Sequence, residues 1–485
     1  MRMVAGRSGK PMKIALIVDN PLRDLPGLVL VGAHLVNAGA TVYLVPMNLQ
    51  QWEVFTLAPD YVLVNYCRKN NQALIERMQA AGIRVGVLDT EGGVLVSLES
   101  YGQTLATSAK VRASITSFMT WGPLLGDYAV QSGWFTPDQV TVTGCPRIDF
   151  YNESWRDAAL DLSDIPGDPS LPLVMFNSNF SLSNPQFYTP KEERTQLIRQ
   201  FGFSAAEIDE WQEANESAME GLTSLANALA ERFPQVRFVF RPHPFENLKP
   251  YEKLLGPMQN LQLIREGTVD GWVLRSAAVI QRGCSTAIEA AMAGSVAISP
   301  SWLPTREVEA VNAVSYSCDT TEEVARLLEQ VLSGTFTASQ SKRQALAKVV
   351  SDWFSSVDGK AAERVALTIL AGMPNKRDDS LAMRCARALY GLDAGFRQKV
   401  VGTIRRAFRI RADYSFRPWD NKRSDWEGSP KAFGKTYVER IANAVVSASA
   451  STAGAGLRQI SVVPAAEAST GRLRYPLRSV TLLPQ

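Results

Sequence analysis

From Lys13 onward, short apolar, β-branched runs alternate with stretches whose apolar residues recur at helical spacing. KIALIVDN, TVYLVPM, YVLVNY, IRVGV, ITSFMTWG and QVTVTGCPR read as strands. Segments 26–38, 70–82 and 122–133 between them read as helices. Strands that alternate with helices of this length predict βαβ units and a parallel sheet. The alternation covers residues 12–150 and breaks at 151–170, a stretch rich in Asp, Pro and Ser that reads as a linker. It resumes with LPLVMFNSN, a long helix inside 191–233, VRFVFRPHP, LQLIREG, AAVIQRG, a helix starting near Ser285 and VAISPSW, placing a second domain over 171–374. The predicted fold class is α/β: two Rossmann-like domains facing across a cleft, with a basic C-terminal extension.

That extension changes character after Pro374. Residues 395–423 hold nine Lys or Arg against two Asp, interleaved with Phe396, Phe408, Tyr414, Phe416 and Trp419. A basic, aromatic segment of 375–440 reads either as a solvated helix face or as contact with an anionic membrane surface. Residues 441–485 are rich in Ala, Ser and Gly and read as a poorly ordered tail.

The length of 485 residues exceeds what one core holds, and 46% apolar with 20% charged residues fits a globular protein. A net charge of +3 argues against a dedicated nucleic-acid binder as a whole. Five scattered cysteines (67, 145, 284, 318, 385) form neither a disulfide framework nor a CxxC site, which points to a reducing cytoplasm. The chain has two histidines, and neither a metal site nor a cofactor is expected. Residues 25–52 lack charge but contain His34, Asn37, Pro46 and Asn48, and split into a helix and a strand rather than a membrane span. No apolar run precedes Met12, so a secretory leader is not expected.

Two segments carry the candidate chemistry. In RPHPFE, His243 lies between two prolines at a strand's end, flanked by Arg241 and Glu246. A histidine there can donate to a phosphoryl oxygen or protonate a leaving group; the plain alternative is a bond to loop backbone. In QRGCSTAIEAAMAG, a strand, a small-residue turn and a helix follow one another. Ser285 and Thr286 at the helix start offer backbone N–H groups to an anion, Arg282 precedes them, and Gly283 admits close approach. Thr286 and Glu289 also stand in capping-box relation, and Glu289 could instead bind ribose hydroxyls. Asn177 and Asn179 lie in the FNSN loop. In the first domain, LDTEGG places Asp89 and Glu91 at a strand's carboxyl end, where a carboxylate can act as general base, or form an Asx turn. Asp19, Asn20, Asn65, Arg68 and Lys69 end neighbouring strands. His34, inside an apolar helix, reads as a core or surface histidine.

On these motifs, over about residues 12–355, the chain resembles bacterial surface-carbohydrate biosynthesis proteins of the GT-B glycosyltransferase type. Its HP and S/T motifs are similar to those of sialyl- and Kdo-transferases. The resemblance implies a CMP-sugar donor, a glycan or lipid-linked polysaccharide or lipopolysaccharide acceptor, and no metal. It also implies His243 as general acid or phosphate partner, Ser285 and Thr286 on the phosphate, and Asp89 or Glu91 as base. The order of GCPRID and HP also resembles CDP-polyol glycerophosphotransferases of teichoic-acid type. A non-catalytic nucleotide- or glycan-binding assembly protein stays open as a third reading. The expected location is cytoplasmic, peripheral at the inner membrane face if 395–423 binds there.

Overall fold

The computed structural model describes residues 11–95, 97–186, 189–201, 204–373, 380–383, 385–391, 431–451, 456–465 and 477–485. The basic segment 395–423 lies outside them. The chain divides into two compact units, one drawn from Met1–Gly93, Ser97–Ala158 and Asp352–Gln485, the other from Val94–Val96 and Ala159–Ser351. Each is a Rossmann-like α/β fold, which establishes the α/β class.

The first unit holds β1 (Lys13–Val18), β2 (Thr41–Pro46), β3 (Tyr61–Val64), β4 (Arg84–Leu88), β5 (Ser117–Thr120) and β6 (Val140–Val142). Their neighbours all pair parallel, in the order β2-β1-β3-β4-β5-β6. Parallel strands covered on both faces read as continuous apolar runs, which explains why the sequence pattern finds them. The order reverses between β1 and β3, since β2 lies on the far side of β1.

Two further strands, β13 (Ile460–Pro464) and β14 (Val480–Pro484), extend the sheet antiparallel beyond β2. This corrects the expectation of a disordered tail for the described part of 441–485. The helix Lys435–Ser451 presents Val438, Ile441, Ala442, Val445 and Ala448 as a buried stripe at helical spacing, packed on the helix Leu25–Asn37. Small residues set the composition, and composition concealed the period. Buried Glu53 holds β14 in place, accepting the N–H groups of Arg478 and Ser479 at 2.8 Å each and the Ser479 hydroxyl.

The domain boundaries also shift. The helix Ala361–Ala371 packs on Leu25–Asn37 in the first unit rather than closing the second domain. Its start is held by Asp149 of the GCPRID segment, which accepts from Ala361 N at 2.9 Å and Ala362 N at 2.8 Å. The expected linker contains the helix Glu153–Asp161, with Trp155, Ala158 and Ala159 buried.

The second unit contains β7 (Leu173–Asn177), β8 (Arg237–Arg241), β9 (Leu261–Leu263), β10 (Ala278–Gln281), β11 (Val296–Pro300) and β12 (Tyr316–Cys318). All pair parallel in the order β9-β8-β7-β10-β11-β12, the arrangement of nucleotide-binding sheets, with its reversal between β7 and β10. The long helix Ala205–Arg232 starts with a capping box between Ser204 and Glu207 and lays Ala218, Leu222, Leu225, Ala226 and Leu229 on the sheet. Among the described residues, no helix is long and apolar enough to cross a membrane.

Candidate functional site

In open α/β sheets, ligands bind outside the carboxyl ends of the strands where the order reverses. In the second unit that point is marked by Asn177, which pairs in register with Gln281 of β10 on one side and Arg241 of β8 on the other. The turn after β10 is built from side chains of these strand ends. Gln281 Oε1 accepts the Cys284 N–H at 2.7 Å, and Asn177 Nδ2 donates to Cys284 Sγ and Thr286 Oγ1, each at 3.1 Å. Gly283 adopts φ +71°, and a Cβ there would meet Thr305 Oγ1 at 2.5 Å, so glycine is required twice over.

The helix Thr286–Ala293 starts without the capping box. Ser285 at its N-cap already has helical φ −59° and ψ −18°, a conformation from which a side chain does not reach the first-turn N–H groups. Thr286 turns its hydroxyl to Asn177 instead. The Ala287 N–H goes to Cys284 O at 3.1 Å and the Ile288 N–H to Ser285 O at 2.9 Å. Among the described residues, the N–H groups of Gly283 and Ser285 and the Ser285 hydroxyl have no partner. Glu289 is buried one turn inside the helix, and Asn179 is exposed in the loop after β7.

His243 is half-buried in the loop after β8. Its Nδ1 accepts the N–H of Phe245 at 3.3 Å, which assigns the proton of the neutral ring to Nε2. Its own N–H goes to Ser178 Oγ at 3.3 Å. Glu246, fully buried, accepts from the Ser178 hydroxyl at 2.7 Å, the Phe180 N–H at 2.6 Å and the Tyr251 hydroxyl. Burial pushes its carboxyl upward against those donors. Glu246, Ser178 and Tyr251 thus fix the histidine loop to the loop after β7. Sequence reasoning named Glu246 only as a flanking charge and missed Ser178 and Tyr251.

The two arginines of these segments are engaged inside the second unit, Arg241 by backbone carbonyls and Arg282 by carbonyls, the Ser299 hydroxyl and, at 3.7 Å, the Glu307 carboxylate. Arg241 donates to the carbonyls of Glu266 at 2.7 Å, Gly267 at 3.0 Å and Arg265 at 3.3 Å, and lies 4.9 Å from the centre of the Trp272 ring. Burial pushes its pKa down to about 10. Arg282 donates to Leu303 O, to Ser299 Oγ at 3.4 Å and to Ser301 O at 3.5 Å, pinning the loop that overhangs Gly283. The geometry gives both a fastening role, where the sequence suggested phosphate contact. Arg265, which the motifs did not single out, reaches the carbonyl of Glu246 and the Gln186 side chain at 3.1 Å.

In the first unit, both Asp89 oxygens are engaged. Arg68 Nη2 lies 3.1 and 3.2 Å from them, with the Tyr101 hydroxyl at 2.9 Å and the Glu91 N–H at 2.9 Å. Burial pushes the Asp89 carboxyl up. Glu91 shares the same guanidinium at 3.2 Å, but its side chain is 58% exposed. Among the described residues, no three His, Cys, Asp or Glu side chains converge to hold a metal ion.

No family model matches the chain, and no curated protein matches it. Among solved structures it is similar to a putative UDP-N-acetylglucosamine 2-epimerase from Listeria monocytogenes, at 15% identity over 76% of this chain and 98% of that one, TM-score 0.47. It is similar to a UDP-GlcNAc 2-epimerase from Neisseria meningitidis bound to UDP-GlcNAc, at 15% identity over 74% and 100%, TM-score 0.45. A glycosyltransferase from Rickettsia africae gives 11% identity over 74% and 98%, TM-score 0.38. Scores this low decide neither fold nor activity, and the two-unit architecture stands on the strand orders described above.

Proposed function

We propose that the second unit binds the phosphate of a nucleotide-activated sugar, with a CMP-sugar as donor. On this reading the protein is a GT-B-type glycosyltransferase acting on a surface polysaccharide or lipopolysaccharide acceptor. One observation supports this above the others: the unpartnered N–H groups of Gly283 and Ser285, the Ser285 hydroxyl and the Nε2–H tautomer of His243 belong to loops at one carboxyl edge, beside the β7/β10 reversal. In the transfer, the acceptor oxygen bonds to the anomeric carbon, and the bond from that carbon to the leaving phosphate breaks. The electron pair goes to the phosphate oxygen. Donors aimed at that oxygen, and the positive end of the helix Thr286–Ala293, stabilise the charge as it develops. The acceptor proton goes to a general base or to water.

Calorimetric titration with CMP, CDP and UDP tests the reading, alongside Ser285→Ala and His243→Ala. The expected result is nucleotide binding that Ser285→Ala weakens, and transfer that His243→Ala slows. Failure to bind any nucleotide sinks the proposal. Transfer of glycerophosphate from CDP-glycerol would move the attack from carbon to phosphorus. Conversion of a UDP-sugar with no acceptor and no nucleotide release would replace transfer by epimerisation.

A further inference from the structure

We propose that the first unit docks on an anionic membrane surface through an exposed apolar helix face formed by Leu381, Cys385 and Leu389. Residues 381–383 and 385–391 are helical. Met383, Arg387 and Tyr390 recur at i, i+4 and i+7 and hold this helix to the unit. Met383 packs on Gly82, where a Cβ would meet its Sδ at 2.5 Å. Arg387 Nε donates to Ala81 O at 3.2 Å. The Tyr390 ring stacks on Phe55 of the helix Gln50–Leu57, with ring centres 5.7 Å apart.

The opposite face is exposed. Leu381 is 76% exposed and Leu389 66%, the two highest values for large apolar side chains among the described residues. Ala382, Cys385 and Ala388 are exposed beside them, so every exposed residue described in this helix is apolar. Positions 381, 382, 385, 388 and 389 share one side of a helix. A helix on the surface of a globular unit turns its polar residues to water. Here an arginine faces the unit and two leucines face out.

The size of the face and the sequence that follows it decide the partner. The face runs about 12 Å along the helix axis and about 10 Å across, on the order of 100 Å². A stable protein interface buries about 800 Å² on each partner, far more than this face supplies. A bilayer needs no such area, because a few aliphatic side chains enter the headgroup boundary while basic residues add attraction to anionic lipid. Residues 381–391 contain no Asp or Glu to oppose that attraction. Four residues further on begins 395–423, with nine Lys or Arg against two Asp and five interleaved aromatics. That charge favours an anionic surface over a neutral one.

The inference stands apart from the donor reading, and failure of every nucleotide to bind leaves it in place. Cys385 gives a local probe, since it is exposed while Cys67, Cys145, Cys284 and Cys318 are buried. The full chain, labelled at Cys385 with an environment-sensitive fluorophore, is mixed with vesicles of phosphatidylcholine alone or with about one-third phosphatidylglycerol. The expected result is a blue shift and flotation with the anionic vesicles, and neither with the neutral ones. Leu381→Ser and Leu389→Ser should each weaken partitioning by about tenfold, the transfer free energy of one leucine side chain. Leu171→Ser, at an exposed leucine of the second unit, should leave it unchanged. Far-UV circular dichroism checks the fold of each variant. Absence of flotation, or flotation with no spectral change at Cys385, overturns the proposal. Equal partitioning by both folded leucine variants overturns it as well, and so do lipid-free dimers that these substitutions dissociate.

Discussion

Replacing Glu246 tests whether the histidine loop is held by one buried carboxylate. Its two oxygens take three donors, two from the loop after β7 and one from Tyr251 of the helix Leu248–Leu254, and Ser178, one of those donors, receives the His243 N–H in turn. Glu246→Gln keeps the shape and one acceptor oxygen but points an NH2 at a neighbour that donates. The expected loss is about 1–3 kcal/mol, for one or two hydrogen bonds to a buried group. Glu246→Ala strands all three donors and opens a cavity, for about 3–5 kcal/mol. In a unit of this size 1 kcal/mol moves the melting midpoint by about 2–4 °C, so the Gln variant should melt about 5 °C lower.

The pH dependence has a definite sign. Because burial raises the Glu246 carboxyl, its contribution to stability is full below the ordinary carboxylate range and is lost as pH rises through the folded pKa. The Gln variant does not titrate, so the gap between it and the native protein should be widest in acid. Calorimetry across pH measures this, and hydrogen exchange at residues 178–184 and 243–247 locates the loosening. A Gln variant melting within about 1 °C of the native protein, with unchanged exchange in both loops, would refute the linkage.

Arg241→Ala should lower stability by about 2–4 kcal/mol, because three carbonyls lose their donor, while nucleotide affinity changes less than about twofold. A tenfold affinity loss in a protein of native stability would return Arg241 to the ligand. Asp149 is raised by burial from its ordinary 3.8 to about 7, so its contribution is full below the lower value and lost as pH rises toward the upper. Urea midpoints of Asp149→Asn should therefore lack a decline of up to about 1.4 kcal/mol per pH unit that the native protein shows in that window. Glu53→Ala removes the acceptor for the start of β14, and hydrogen exchange should lose protection at 477–484 before the rest of the first-unit sheet. Equal protection in the variant and the native protein would mean that pairing with β2 alone holds these strands.

How much of this was legible in the sequence depends on what kind of signal each feature leaves. Strands β1 to β11 were all read, most of them from apolar runs, because parallel strands buried on both faces have no polar side to interrupt them; the half-buried edge strands β6 and β9 show Thr or Gln within the run. β12, Tyr-Ser-Cys with its serine exposed, is not an apolar run and left no such signal. The direction of a side chain leaves no such trace: Arg241 and Arg282 stand beside phosphate-compatible loops in sequence yet turn toward carbonyls. The capping box failed for a conformational reason, since Ser285 is already helical and Thr286 bonds across to Asn177. Asp149 likewise reads as part of a motif, while its partners lie more than two hundred positions away in the helix Ala361–Ala371.

Asn65 and Asn177 show the same limit from the other side. Each is an asparagine at or just past the end of an apolar strand, a pattern too common to weigh heavily. Strand order gives them meaning, because each stands where its own sheet reverses. Each uses its Nδ2 to bind a neighbouring element there: Asn65 to Ile17 of β1, Asn177 to the turn after β10. The two sheets have different strand orders, so the shared feature follows from the reversal itself. Two strands whose connections leave in opposite directions open a gap at their carboxyl ends, and a short amide can span it.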